Sequence, residues 1–593
     1  MEMIKIPRSW FKVFRLVPCA SSIRPGGRLP NALSKYWQGS NSSLCFLFAI
    51  WIVLFGPYIL FGGLVRDDLA FLTQARHFER YIGWLDQPRG FENYTQFQLF
   101  VSSIPEMTGR PVSALLHGFC YWFLGLAAWP YHTLNLALFI SSVSFVYLAV
   151  KNTISHEIAF LTAIFALVYP GASGTLFSSI MMNSNLAGLF WSIAFYLDSR
   201  PERKESRWKS LTTVILLLLS SLSYEAFIPL FLVNIVAKTV TRNPIEFDIR
   251  RLLKDASPVL STLLLIGVYR GALEKIIFDA ATSTIIISSF TASISRFLQA
   301  VLVGTKEVSI ETVRISVKAL GNLHLVSVFY LLLVSIFSTT LSISIWHSFG
   351  SNNNTDRQRT VLPKHPDQRH VVLSSSAAFL FPFFVAIFIY LICYIIFAFS
   401  AYMPDSSGFE NRTQGAIRFA VGFLIATGLK LLYHCLSFHK IKQIVPLGSV
   451  FFVAFFTLSL VGQREAWTAA AQYNNYLLTK IDKAIRRTNL SENKSFTFIA
   501  LLPDSFPNQV NHEPIFGQAW DIGPALSLRY PFNNIRANVY EPHGTMIEPD
   551  RTIFHGYWEA RYPYYFYSFE GDHIYRVSNA HDLRLLIPRS GKQ

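Results

Sequence analysis

Charge is what this sequence has least of. Asp, Glu, Lys and Arg make up 15% of it, against roughly 25% in ordinary soluble domains, and so thin a polar coat excludes a chain whose whole surface meets water. Cysteine is scarce as well. Cys19, Cys45, Cys120, Cys393 and Cys435 are scattered, with no Cys-x-x-Cys pair, which argues against a disulfide framework or a thiolate zinc site. There is no internal repeat and no low-complexity linker. The N-terminus is basic, with only a short apolar run and no convincing cleavage site, and it reads as a cytoplasmic tail rather than a signal peptide. What is abundant is apolar surface: 51% hydrophobic residues, 52 of them Phe, and a mean hydropathy of +0.34. A chain of 593 residues with that composition cannot hide its apolar surface in one core, and lipid is its natural solvent. A net charge of +16 would suggest nucleic acid in a soluble protein. Here it reads as basic loops that hold the cytoplasmic ends of spans against anionic lipid, and no nucleic-acid partner is expected.

A membrane-crossing helix needs about 20 mostly apolar residues. Qualifying runs lie near 44–65, 131–150, 156–171, 176–197, 208–222, 225–238, 256–273, 322–344, 373–400, 414–433 and 441–462. Lys and Arg then set orientation. The first 40 residues carry seven, 198–209 five, 238–254 five and 345–370 four, whereas the alternate loops are nearly free of them and 401–413 has only Arg412. This alternation holds if the further apolar stretch 111–129 lies in the interface or re-enters without crossing. About eleven crossings follow, with the N-terminus inside and the C-terminus outside. The expected fold is mainly α: a polytopic transmembrane bundle with interfacial helices and a small C-terminal α/β or β-rich domain. Its parts are a tail at 1–43, a membrane region at 44–462 with outward loops 66–110 and 274–321, and an extracytoplasmic domain at 463–593. That domain opens with a helix through REAWTAAAQYNNYLLTKIDKAIRR, continues with a buried strand at FTFIALLPDSF, and ends in β-structure with exposed aromatics.

Chemistry is sought where ionisable groups meet the membrane surface. Arg66-Asp67-Asp68 follows the first span and leads into an amphipathic stretch. Adjacent carboxylates there can cap the next helix, act as a general base toward an attacking hydroxyl, or hold a divalent cation such as Mg or Mn. Glu225 is a lone carboxylate between two apolar runs. Arg270, at the outer end of a span, and Arg412, before another, have the forked donors that suit a lipid phosphate. Lys275 and Arg418 are weaker candidates of that kind. His117 and His132 read as packed or interfacial. Asn183 and Asn185 read as interhelical hydrogen-bond partners.

With these residues in view, the chain resembles the GT-C class of membrane glycosyltransferases. The likeness is nearest to the branch of dolichyl-phosphate-mannose protein mannosyltransferases and aminoarabinose transferases. It rests on the first span, the acidic pair Asp67-Asp68 directly after it, interfacial helices, Gly109-Arg110-Pro111 and further short spans, over roughly 44–462. The resemblance implies a polyprenyl-phosphate sugar as donor, transfer on the outer face, and a first-loop Asp as catalytic residue, matching Asp67 first and Asp68 second. The branch's His-Pro-Pro motif is absent, with Gly109-Arg110-Pro111 in its approximate place. No WWDYG-like motif is present, which disfavours asparagine-linked transfer.

The expected function is thus an inverting hexosyl- or pentosyltransferase of a cell envelope, most naturally in a bacterial inner membrane with a periplasmic C-terminus. Asp67, Asp68 or Glu225 would do the acid–base work, and Arg270, Arg412 and Arg110 would hold the donor phosphate. The acceptor is a glycan, lipid or protein. Two other classes compete: a transporter or flippase of lipid-linked saccharide, and a non-catalytic assembly protein acting through its C-terminal domain. A transporter would favour paired midplane charges and inverted repeats, and the sequence offers neither.

Overall fold

The computed structural model describes residues 40–65, 68, 69, 72, 109–200, 207–242, 249–273, 290–321, 323, 375–399, 403–406, 408–436, 444–503 and most of 505–587 (all but 507, 508, 514, 518, 531, 532, 543, 544 and 555–557). Arg66, Asp67, Lys275 and nearly all of the expected span 322–344 lie outside them.

The apolar runs become helices. In chain order they are α1 (Ser40–Phe61), α2 (Pro111–Leu124), α3 (Ala128–Thr153), α4 (His156–Val168), α5 (Met182–Asp198), α6 (Arg207–Ser223), α7 (Phe231–Arg242), α8 (Ile249–Val268), α9 (Phe290–Lys306), α10 (Thr312–Gly321), α11 (Ser375–Ile392), α12 (Ile417–Cys435) and α13 (Ile444–Arg487). Seven helices among the described residues are long and apolar enough to cross a membrane, and the protein is an integral membrane protein. Large apolar side chains such as Phe61, Phe123 and Leu264 stand more than two-thirds exposed. In lipid such exposure is solvation, not a liability.

Two of the helices too short to count as spans show contrasting physical reasons. Helix α2 has 14 residues, about 21 Å of helix, and cannot cross a core of about 30 Å. It buries Ser113, His117 and Cys120 on one side and exposes Leu115, Phe119, Trp122 and Phe123 on the other, as a helix lying along an interface does. Helix α4 is also short, 13 residues, but every residue from Ile158 to Val168 is buried. Its chain continues through a compact strip, residues 169–181: a 3-10 turn at Pro170–Ala172, one helical turn at Gly174–Phe177 and a second 3-10 turn at Ser179–Met181. Irregular backbone at this depth survives only where protein surrounds it, and residues 169–179 are buried throughout.

Helix α13 departs from the expected boundary at 462. Its 44 residues run unbroken from the membrane region into the C-terminal unit, a rod of about 66 Å. Neither Pro nor a glycine turn interrupts it. Gly462 serves close packing, since a Cβ there would sit 2.2 Å from the carbonyl oxygen of Ala319 in α10.

Beyond α13, strands β1 (Ser495–Leu501), β2 (Asn534–Val539), β6 (Tyr564–Ser568) and β7 (His573–Val577) form a sheet in the order β2-β1-β6-β7. β1 is parallel to both of its neighbours, and β7 is antiparallel to β6. Helix α14 (Ala519–Arg529) makes the crossover between β1 and β2 and packs with α13 on one face, over Phe498, Ala500 and Tyr567. A second sheet, β3 (Thr545–Ile547), β4 (Arg551–Phe554) and β5 (Trp558–Arg561), covers the other face with α15 (Ala580–Leu586). The strand at FTFIALL is where the sequence placed it. The aromatics of the last stretch divide: Tyr575 is exposed as expected, whereas Tyr564, Phe566 and Tyr567 are fully buried, because β6 is an inner strand covered on both faces.

Candidate functional site

Helix α1 ends at Phe61, and Gly62-Gly63 carries the chain between α1 and α13. A Cβ on Gly62 would lie 2.5 Å from the Tyr58 carbonyl oxygen, and one on Gly63 2.9 Å from Ala471; only glycine passes here. Asp68 follows. It has no exposed surface, and donors surround its carboxylate: the Val65 amide at 3.0 Å on one oxygen, and the Ser178 hydroxyl and Ile180 amide, both at 2.8 Å, on the other. Burial pushes the Asp68 carboxyl up from its ordinary 3.8 to about 6, while the hydrogen bonds from Ile180, Val65 and Ser178 pull the other way. This acid is an anchor that ties the first loop to the strip.

The donors around Asp68 also decide the cation question at this residue. Amide N–H and hydroxyl groups point at its oxygens, whereas a cation needs oxygen ligands turned inward. No group of three or more His, Cys, Asp or Glu side chains able to hold a metal occurs among the described residues. The surroundings of Asp68 therefore do not fit a divalent ion.

The strip is held from every side by polar groups that read in the sequence as incidental. Asn135 of α3 donates to the carbonyls of Thr175, Leu176 and Ser178, each at 3.2 Å, and accepts from Asn185 of α5 at 2.7 Å. Asn411 accepts from the Gly174 amide at 2.6 Å and donates to Ser173 at 2.9 Å. Arg418 of α12 is buried, donates to the Ala172 carbonyl and the Thr175 hydroxyl, and stacks its guanidinium 4.7 Å above the Phe139 ring. Asn185 is thus the interhelical partner expected of it. Asn183 instead accepts from the amide of its own neighbour, Ser184. Sequence reasoning missed the strip as a hub. Its available signal was Pro170, Gly171 and Gly174 beside a run of Ser and Asn in an apolar context.

Both histidines pack. The His132 Nε2 lies 3.2 Å from the Gly63 carbonyl, with its ring 4.6 Å from that of Tyr58. The His117 Nδ1 lies 2.8 Å from the Ser113 carbonyl, its ring is beside the backbone of Ser179 and Ile180, and burial pushes it down to about 4, so it is neutral near pH 7.

A second cluster forms at the start of α2. Arg110 Nε and Nη2 donate to the two carboxylate oxygens of Glu225 at 2.9 and 2.6 Å, and the guanidinium sits 4.5 Å over the Tyr224 ring. Arg270, on the π-helical turn Tyr269–Leu273 that ends α8, donates to the Gly109 carbonyl at 2.6 Å. Three residues singled out from sequence, 45 to 160 positions apart, therefore converge. Among the described residues the cluster holds two guanidinium groups and one carboxylate, about one-third exposed at the salt bridge. Helix α2 joins the two clusters, since its His117 lies against the strip that holds Asp68. Arg412 lies elsewhere on the same framework, in the turn Gly408–Gln414 that packs on the strip.

No family model and no curated protein matches the chain. Among solved structures, ArnT from Cupriavidus metallidurans bound to undecaprenyl phosphate is similar over 83% of this chain and 88% of that one, with 10% identity and a TM-score of 0.38. The same protein in the apo state gives 11% identity and a TM-score of 0.30 over the same shares. At that distance the likeness reaches neither site residues nor chemistry. The chain is a polytopic, mainly helical integral membrane protein with a C-terminal α/β unit, and ArnT is a solved protein to which it is similar.

Proposed function

We propose that the chain is an inverting membrane glycosyltransferase that moves a sugar from a polyprenyl phosphate to an acceptor hydroxyl at the end of the bundle where α1 finishes, the outer face by its charge pattern. One observation carries this reading. Arg110, Glu225 and Arg270, brought from three separate elements, set two guanidinium groups together on either side of Gly109, at the ends of apolar helices. A lipid-linked phosphate needs such a partner, and a charged group in that setting is costly unless used.

The chemistry divides among these residues as follows. The acceptor oxygen attacks the anomeric carbon, forming the new C–O bond as the bond to the phosphate oxygen breaks on the opposite face. The acceptor's proton passes to Asp67, and the polyprenyl phosphate leaves with the bonding pair. Arg110 and Arg270 stabilise the negative charge that develops on it. Glu225 takes Nε and Nη2 of Arg110 and so aims its remaining Nη1 at the ligand. Asp68 holds the loop that presents Asp67. The resemblance of the sequence to the aminoarabinose-transferase branch supports the donor class.

The test is direct. Cells lacking the gene should accumulate one lipid-linked sugar and lose one surface modification by mass spectrometry. In membranes supplied with that donor, Arg270→Ala and Arg110→Ala should each raise the donor KM by about tenfold or more, the loss of one charge-assisted hydrogen bond. An unchanged pool of lipid-linked sugars in the deletion strain sinks the transferase reading. An unchanged KM in both variants removes the cluster from the donor site.

A further inference from the structure

A cavity of about 400 Å³ opens between the first loop, the turn before α3, the middle of α13 and the end of α14. That volume is at the lower end of small-molecule sites. Its two halves differ in chemistry. Phe61 and Leu126 stand at the mouth, 69% and 48% exposed, at the end of a span and beside α2, so the opening faces the lipid side rather than bulk water. Leu528 continues this apolar wall. The other half carries Gln472 and Asn475, one turn apart on α13, and Arg529, the last residue of α14. All three are exposed. Among the described residues that line the cavity there is no carboxylate.

The walls are fixed in place. The Tyr530 hydroxyl donates to Asp482 of α13 at 2.5 Å, which ties the end of α14 to that helix beside Arg529. The Phe516 amide donates to Asn474 at 3.1 Å. Gly63 brings the first loop to within contact of Ala471 and forms part of the cavity's floor.

We infer that this cavity binds the head of an anionic lipid from the leaflet on the side of the C-terminal unit. The guanidinium of Arg529 meets the phosphate, the carboxamides of Gln472 and Asn475 take its ester and hydroxyl oxygens, and Phe61, Leu126 and Leu528 line the path of the chains. A water-borne anion would need none of the apolar mouth. A neutral lipid would leave Arg529, the cation among the described residues that line the cavity, unmatched. The site stands apart from the transferase reading, since neither Arg529 nor Asn475 enters it.

The experiment uses the full-length protein in phosphatidylcholine nanodiscs containing a minority of phosphatidylglycerol, with retained lipid read by native mass spectrometry. The wild type should retain phosphatidylglycerol in preference to phosphatidylcholine. Arg529→Gln should cut that retention by about tenfold, the loss of one charge-assisted contact. Asn475→Asp, a change on an exposed helix face that leaves folding intact, should do the same by setting a carboxylate against the phosphate. No preference in the wild type, or wild-type retention in both variants, overturns the proposal. So does displacement by soluble glycerol phosphate at equal concentration, which would make the ligand a free phosphate.

Discussion

Asp68→Ala should release the first loop from the strip while lowering global stability only modestly at neutral pH. The two stranded backbone amides, of Val65 and Ile180, each lose a buried acceptor worth about 1–3 kcal/mol. Against that stands the cost of holding Asp68 ionised. Its folded pKa, about 6, lies above its ordinary 3.8. The folded state therefore binds the proton more tightly, and this group's contribution is most favourable below the unfolded pKa and is lost as pH rises through the folded one. At neutral pH the penalty is about 3 kcal/mol, so removing the carboxyl gives back much of what the amides lose.

The balance tilts with pH. As pH falls from about 8 to about 5, the wild type sheds part of its penalty and the variant gains nothing, so the cost of Asp68→Ala should grow by about 1 kcal/mol. Thermal unfolding at the two pH values reads this difference, and amide exchange at Val65 and Ile180 reads the freed loop. A gap between wild type and variant that shrinks on acidification would mean that the hydrogen bonds outweigh burial and hold the Asp68 carboxyl below its ordinary value.

Asp67→Asn should do the reverse: leave the fold intact and remove turnover. Its neighbour's oxygens are occupied by three donors from the protein itself, so of the adjacent acids Asp67 is the one assigned the proton. Loss of a general base typically lowers turnover by about 10²–10⁴-fold, and asparagine matches aspartate in shape while accepting no proton. The expected result is kcat reduced by at least about 100-fold, with an unchanged donor KM and an unchanged melting temperature. If Asp67→Asn turns over within about tenfold of the wild type, the base is another residue. A variant that loses both turnover and stability would assign Asp67 an anchoring part like that of Asp68.

The contrast between these two acids shows what could be read from the chain alone. The span after which they occur is legible because twenty apolar residues have few other fates in water, and the run 44–65 became Ser40–Phe61. The non-crossing nature of 111–129 is legible from charge bias, because Lys and Arg resist transfer, and α2 is indeed too short to cross. Arg110, Glu225 and Arg270 are legible as singular charges at span ends. Their meeting is not, since no periodicity links residues so far apart. Asp68 looks like its neighbour in the sequence, and its anchoring part comes from Ser178 and Ile180, more than a hundred positions later. Asn135 and Arg418 likewise look like isolated polar residues in apolar helices until the strip they hold is in view.

The unbroken α13 has a consequence of its own. A tether of loop would let the C-terminal unit swing and tolerate insertions, but a helix transmits angle. Each residue turns the chain by about 100°, so the azimuth of Arg529 and of every strand beyond is phased to the membrane-embedded segment of the same rod. Adding or removing one residue between Gly462 and Asn474 would not merely shift the C-terminal unit by about 1.5 Å. It would swing that unit to another side of the bundle, away from the first loop it now faces.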